Sequence, residues 1–172
     1  MNLQSDDFEL FDVPAQFAQD PQALAARWKL LQREAHPDRY AAHGDAAQRM
    51  AMQWSVRINE AYQRLRDPLR RAAYLCELHG APVQAENNTA MPAAFLVQQM
   101  EWREALDEAD SAAAFDTLSG KVQAAQAQAQ AACARLIDAE HDYAAAAQQV
   151  RALMFLERFA ESVEDRRDQW GQ

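Results

Sequence analysis

Two helix-period patterns meet at one proline, and neither runs through it. The junction is Arg33-Glu34-Ala35-His36-Pro37-Asp38-Arg39. Pro37 has no backbone N–H and disfavours helical geometry at His36, so an imidazole and a carboxylate are expected on a tight surface loop. Few other turns are available: 172 residues contain only 4 Gly and 6 Pro, and 49% are hydrophobic, many of them alanine. That balance favours helices over short strands and argues against disorder. An all-α fold is expected, long enough for one domain or two small ones.

The formal net charge of -9 disfavours a general nucleic-acid or anionic-membrane binder, so any basic patch must be local. Cys76 and Cys133 are far apart, lack metal-ligand spacing and read as reduced thiols. His43, His79 and His141 also lack ligand spacing and read as surface or capping residues, so no metal and no cofactor are expected. Asp6, Asp7, Glu9, Asp12 and Asp20 near the start argue against a secretory or transit segment, and no run reaches the ~20 apolar residues of a membrane span. The simplest expectation is a cytoplasmic protein.

Residues 5 to 12 predict a short helix before Val13-Pro14. Asp20-Pro21, an N-cap followed by proline, opens a second helix. At ~100° per residue, Leu24, Trp28, Leu31 and Ala35 share one face, while Lys29 and Arg33 project from nearly the opposite one. Arg27 lies on the flank. A third helix is expected from about Ala46 to Leu65, burying Met50, Trp54, Ile58, Ala61 and Leu65 and packing antiparallel to the second. Asp67-Pro68 restarts the pattern as a helix through Leu78, and Gly80 stops it. Residues 80 to 91 have turn residues at both ends and no periodicity, which marks a linker between domains at 1–79 and 92–172. Three more helical patterns follow, at about 92–110, 112–137 and 142–167, enough for a three-helix bundle. In the middle one Val122, Ala125, Ala129, Ala132 or Cys133, and Leu136 form a seam of mostly small residues that lets neighbours approach closely.

The helix after Pro92 carries two apolar surfaces. Phe95, Trp102 and Leu106 form a stripe suited to the bundle; Leu96, Val97 and Met100 fall ~100° or more away, continued by Glu101, Glu104 and Glu108. On the last helix Val150, Leu153, Leu156 and Ala160 suit the core, whereas Phe155 points nearly the other way and is a plausible interface anchor. The bland alternative is that Leu96, Val97 and Met100 pack against the first domain and the glutamates are a solvated face.

His36-Pro37-Asp38 between two antiparallel helices, with Lys29 upstream and the run Ile58 to Pro68 (Ile-Asn-Glu-Ala-Tyr-Gln-Arg-Leu-Arg-Asp-Pro) followed by Arg70-Arg71, resembles the J domain of DnaJ-type co-chaperones. The resemblance spans about residues 5–79 and includes the aromatic-rich opening from Phe8 to Val13. It departs at Asp12, where many J domains have glycine. It implies that His36, Pro37 and Asp38, steered by Arg27, Lys29, Arg33 and Arg39, dock on the ATP-bound form of a DnaK-type chaperone and stimulate its hydrolysis. The second half, through Ala94 to Glu108 and Arg151 to Leu156, resembles the C-terminal domain of the HscB family, co-chaperones of iron–sulfur cluster assembly. That resemblance implies that Leu96, Val97, Met100, Glu101, Glu104, Glu108 and Phe155 bind the cluster scaffold protein IscU and deliver it to the chaperone HscA.

A catalytic reading would pair His36 with Asp38, or Cys76 with His79. Residues i and i+2 on a proline loop do not orient one another as a base and its partner, and no oxyanion donors accompany either pair. No enzymatic role is expected. A general co-chaperone for unfolded clients is the remaining alternative, although that class often carries a Gly/Phe-rich linker and a zinc-binding cysteine repeat, and this chain has neither.

Overall fold

The computed structural model describes residues 2–84 and 90–172, and among these every regular element is helical. The chain divides into two compact units, Met1–Leu75 and Cys76–Gln172. Of the linker expected over 80–91, residues 85–89 lie outside the described residues.

In the first unit, α1 (Asp7–Phe11) is set by a capping box. Asp6 Oδ1 accepts from the Glu9 amide at 2.8 Å, and Glu9 Oε2 accepts from the Asp6 amide at 3.3 Å. Its C-cap is Asp12 at φ 53, ψ 49. This left-handed conformation explains why glycine suits the position, and aspartate is among the few other residues that tolerate it. Helix α2 (Pro21–Glu34) begins as its sequence demands, with the Asp20 carboxylate accepting from the Gln22 amide at 2.9 Å. A 3₁₀ turn, Pro37–His43, leads to Gly44 at φ 92 and then to α3 (Asp45–Arg66) and α4 (Pro68–Leu78).

Helices α2 and α3 form an antiparallel hairpin, registered by polar contacts along one edge. Trp28 Nε1 donates to Asn59 Oδ1 at 2.9 Å, Gln32 Nε2 donates to the same oxygen at 2.6 Å, and the Ser55 hydroxyl donates to Gln32 Oε1 at 2.9 Å. Leu24, Leu31, Ala35, Ile58, Ala61 and Leu65 are buried between them. Helix α1 lays Phe8 and Phe11 onto this hairpin; their rings stack on Tyr74 and Tyr62 at 5.8 and 6.3 Å. Burying each of these side chains stabilises the unit by about 1.5–3 kcal/mol.

Asp7 is the polar exception in this core, with no solvent exposure. Arg64 Nη1 donates to its Oδ2 at 2.9 Å, Arg57 Nη1 stands 2.7 Å from its Oδ1 as an ionic contact without hydrogen-bond alignment, and the Asp7 amide donates to the Tyr74 hydroxyl at 3.0 Å. One residue thus ties α1 to α3 and α4.

Two expectations fail in this unit. Met50 is 48% exposed and Trp54 only half-buried. The register that pairs residue 28 with 59 and 32 with 55 brings α2 to its end before the first two turns of α3 are covered, so those turns face the 3₁₀ turn instead. The stretch expected as an irregular loop is that turn.

The second unit contains α5 (Ala93–Glu108), α6 (Ala112–Ala134), a π turn at Arg135–Ala139 and α7 (Tyr143–Trp170). Ser111 Oγ and Asp142 Oδ1 cap α6 and α7, accepting from the Ala114 and Ala145 amides at 3.1 Å each. Phe95 meets Phe155, Trp102 meets Phe159 and Asp107 pairs with Arg166, so α5 and α7 run parallel. Phe115 meets Trp170 and Asp116 pairs with Arg167, so α6 runs antiparallel to α7. The result is an up-down-up three-helix bundle. Its core contains Trp102, Leu106, Phe115, Leu118, Val122, Ala129, Cys133, Ala146, Ala147, Val150, Leu153, Leu156, Phe159 and Val163.

The residues after α4 pack on this bundle. His79 stacks on Tyr143 at 3.9 Å, and Arg151 Nη1 donates to the carbonyl of buried Val83 at 3.0 Å. Cys76 and Cys133 are free and fully buried. Desolvation pushes their thiols up to about 11 and about 12.

Replacing Asp7 by alanine strands two arginines at the core edge and is expected to destabilise the first unit by about 3 kcal/mol, the low end for a broken buried pair because Arg64 is partly solvated. Hydrogen exchange of the α3 amides measures this directly; unchanged protection would contradict the role given to Asp7. Both thiols are expected to resist a disulfide reagent at pH 7.5 in the folded protein and to react fully in denaturant.

Candidate functional site

The His36-Pro37-Asp38 segment is held by its own backbone geometry. Proline at the first position of the 3₁₀ turn forces extended dihedrals on His36, φ -64 and ψ 127, and turns its side chain back over the turn. There Nδ1 accepts from the Asp38 amide at 3.2 Å. Nδ1 is engaged in this way and Nε2 is left for a partner. Asp38 Oδ2 lies 3.7 Å from Nδ1, beyond hydrogen-bond distance, and its side chain is 91% exposed. The turn therefore offers one ring nitrogen and one free carboxylate.

The end of α2 is fastened to this turn. Its terminal carbonyls would otherwise lack partners, and residues of the turn supply them: Arg39 Nη1 donates to the Arg33 carbonyl at 3.3 Å and the Tyr40 hydroxyl to the Glu34 carbonyl at 3.2 Å. Lys29 and Arg33 are exposed, and neither has an ion pair among the described residues. Arg27 differs. It is half-buried on the flank of α2, and its Nε donates to the Phe11 carbonyl at 2.8 Å, closing the C-terminus of α1. Beside the turn, Ala35, Tyr40, Met50, Ala51 and Trp54 line a groove of about 510 Å³. Sequence periodicity had assigned Met50 and Trp54 to the core, and only the hairpin register shows otherwise.

The second candidate surface lies on α5. Leu96, Val97 and Met100 are 48%, 53% and 71% exposed, while Trp102 and Leu106 of the same helix are buried. Glu101, Glu104 and Glu108 continue the exposed side. The face straddles the helix: Val97 and Glu101 border a shallow groove with Lys121 and Ala124 of α6, whereas Phe155 joins from α7 on the other side. Phe155 is not free-standing as expected. It is half-buried, edge-on to Phe95 at 6.0 Å, which fixes its ring beside the first turn of α5 where Leu96 stands. A helical wheel places a residue against its own axis and does not see a neighbouring ring.

The rival chemical pairs are poorly built for catalysis. Cys76 is fully buried with its thiol raised, and His79 is stacked on Tyr143. Among the described residues no three His, Cys, Asp or Glu side chains are grouped so as to hold a metal ion, and no helix is long and apolar enough to cross a membrane.

Comparison with known proteins matches this geometry throughout the chain. The family described as "HSCB C-terminal oligomerisation domain" matches residues 91–164. The co-chaperone protein HscB homolog of Bordetella petrii is 53% identical over 159 residues, covering 92% of this chain and 94% of the relative. That of Burkholderia multivorans is 49% identical over 166 residues, covering 95% and 94%. Among solved structures, the chaperone HscB from Vibrio cholerae has a TM-score of 0.83 at 37% identity, over 96% of this chain and 99% of that one. The human co-chaperone protein HscB has a TM-score of 0.90 at 27% identity, over 97% and 84%.

Proposed function

The chain belongs to the HscB co-chaperone family, and from that membership we propose that it is an adaptor with two binding surfaces, one for a DnaK-type chaperone of the HscA class and one for an iron–sulfur scaffold protein of the IscU class. It delivers the scaffold to the chaperone in the cytoplasm and stimulates the chaperone's ATPase, which assists maturation of iron–sulfur proteins. The observation that carries this reading is the face of α5: three exposed apolar side chains flanked by glutamates, on a helix whose opposite side is already buried in its bundle. Such a face costs solubility and calls for a partner. Its presence in one chain with a displayed His-Pro-Asp turn gives the adaptor its two ends.

No covalent step is assigned to this chain. Hydrolysis takes place in the chaperone, and the turn acts by binding one conformation of it better than another. Among the described residues the Asp38 carboxylate accepts no hydrogen bond and the His36 ring is exposed, so both can enter polar contacts that exist in only one arrangement of the chaperone's surface. The cations Arg27, Lys29, Arg33 and Arg39 attract an acidic surface and raise the encounter rate; they add less to the lifetime of the complex. At the other end, Leu96, Val97, Met100 and Phe155 supply apolar area, and Glu101, Glu104 and Glu108 select a cationic rim on the scaffold. The cluster is cargo on the scaffold and needs no ligand from this chain.

His36→Gln is expected to abolish stimulation of the chaperone's ATPase while leaving melting temperature and scaffold affinity unchanged; steady-state phosphate release checks it, and surviving stimulation removes the turn from its role. The combined change Leu96→Ala, Met100→Ala and Phe155→Ala is expected to weaken scaffold binding by more than roughly 100-fold, given about 1 kcal/mol or more for each central apolar contact. Calorimetric titration at unaltered affinity would sink the α5 assignment. ATPase stimulation measured without scaffold should be retained by the same variant.

A further inference from the structure

The scaffold face does not stop at Phe155. Alongside it α5 and α7 enclose a groove of about 460 Å³ that no step described so far uses. Its floor is apolar, formed by Leu106, Phe155 and Phe159, and its walls carry charge. Arg103 stands on α5, Arg158 and Arg166 on α7, facing Asp107 and Asp165. Arg166 is paired with Asp107 at 2.7 Å. Neither Arg103 nor Arg158 has an ion pair among the described residues, so the groove keeps an excess of positive charge within a chain of net charge -9.

A second observation points the same way. Gln99 lines the groove, and its side-chain amide nitrogen is buried without a hydrogen-bond partner. A buried donor left unmade is costly, and a rotation of the Gln99 side chain into the groove would bring it to an incoming acceptor. Two arginines with free forks above an apolar floor, beside an orphan amide donor, suit a carboxylate carried on an otherwise apolar segment.

We propose that this groove receives an acidic side chain of the scaffold protein. The inference rests on the reading of α5 as the scaffold face. Phe155 belongs to both surfaces, and Leu96 and Arg103 lie about two turns apart on the same side of α5, so a bound segment passes from one to the other without leaving the helix. The glutamates of the face repel an acidic residue and the groove attracts it. A scaffold with a cationic rim and one acidic residue then has a single orientation in which both are satisfied, and the reversed one brings like charges together. The groove thereby sets orientation, while Leu96, Met100 and Phe155 supply apolar area.

The test is calorimetric titration of the full chain with an IscU-class scaffold protein, comparing wild type, Arg103→Glu with Arg158→Glu, and the triple alanine variant. Both arginines are exposed, so the double reversal should leave the melting curve and the scaffold-independent ATPase stimulation unchanged. The expected result is affinity at least tenfold weaker for the double reversal, partly restored when one acidic residue of the scaffold is changed to arginine in a charge-reversal scan. Wild-type affinity for the double reversal alongside weak binding by the triple variant overturns the groove and leaves the scaffold face standing. Wild-type affinity for both overturns the scaffold face itself. A loss that no scaffold reversal restores overturns the acidic occupant.

Discussion

A carboxylate with no exposure holds the first unit in order. Asp7 lies between Arg57 and Arg64 of α3 while its amide reaches Tyr74 of α4, so three helices are pinned at one residue. Replacing such a cluster by apolar groups need not cost stability, but removing only the acid leaves two partly buried cations without their counter-charge. The arrangement therefore fixes register more than it adds energy. With α1 seated, Phe8 and Phe11 cover the hairpin, Arg27 closes the end of α1, and α2 and α3 cannot slide along the Trp28–Asn59 and Gln32–Ser55 seam. The His-Pro-Asp turn depends on that rigidity, because it is fastened to the carbonyls at the end of α2 and packs against the start of α3.

The charge of the chain is distributed in a way its total hides. Lys29, Arg33 and Arg39 gather around the turn, and Glu101, Glu104 and Glu108 gather on α5. On the proposed reading each suits a partner of opposite charge, and the two surfaces would discriminate between partners by sign before any apolar contact is made. Energy and selection are divided in the same way on α5, where the exposed apolar residues are central and the glutamates lie along the rim. The chain itself belongs to the HscB co-chaperone family.

Much of this could be read from residues in order. Asp20-Pro21, Asp67-Pro68 and Gly80 marked helix boundaries because capping and proline chemistry are local, and the α5 stripe separated cleanly because helical spacing assigns faces. What escaped was set between elements. Met50 and Trp54 follow the core periodicity yet lie beyond the end of α2, which only the hairpin offset reveals. Phe155 is half-buried beside Phe95, a ring distant in sequence. Asp7 looked like one acid among several near the start, since its burial depends on arginines more than forty residues away. The π turn at Arg135–Ala139 forms the last turn after α6, and no local signal announces it.

The central claim is that the turn and the α5 face act on the same chain, as an adaptor does, and not as two independent activities. Mixing His36→Gln protein with the Leu96→Ala, Met100→Ala, Phe155→Ala protein tests it most directly, with scaffold-dependent stimulation of the chaperone's ATPase as the readout. Each variant keeps one intact surface. An adaptor predicts that the equimolar mixture shows no scaffold-dependent stimulation beyond the sum of the separate variants, because no single molecule bridges the two partners. Recovery of wild-type stimulation by the mixture would contradict the account.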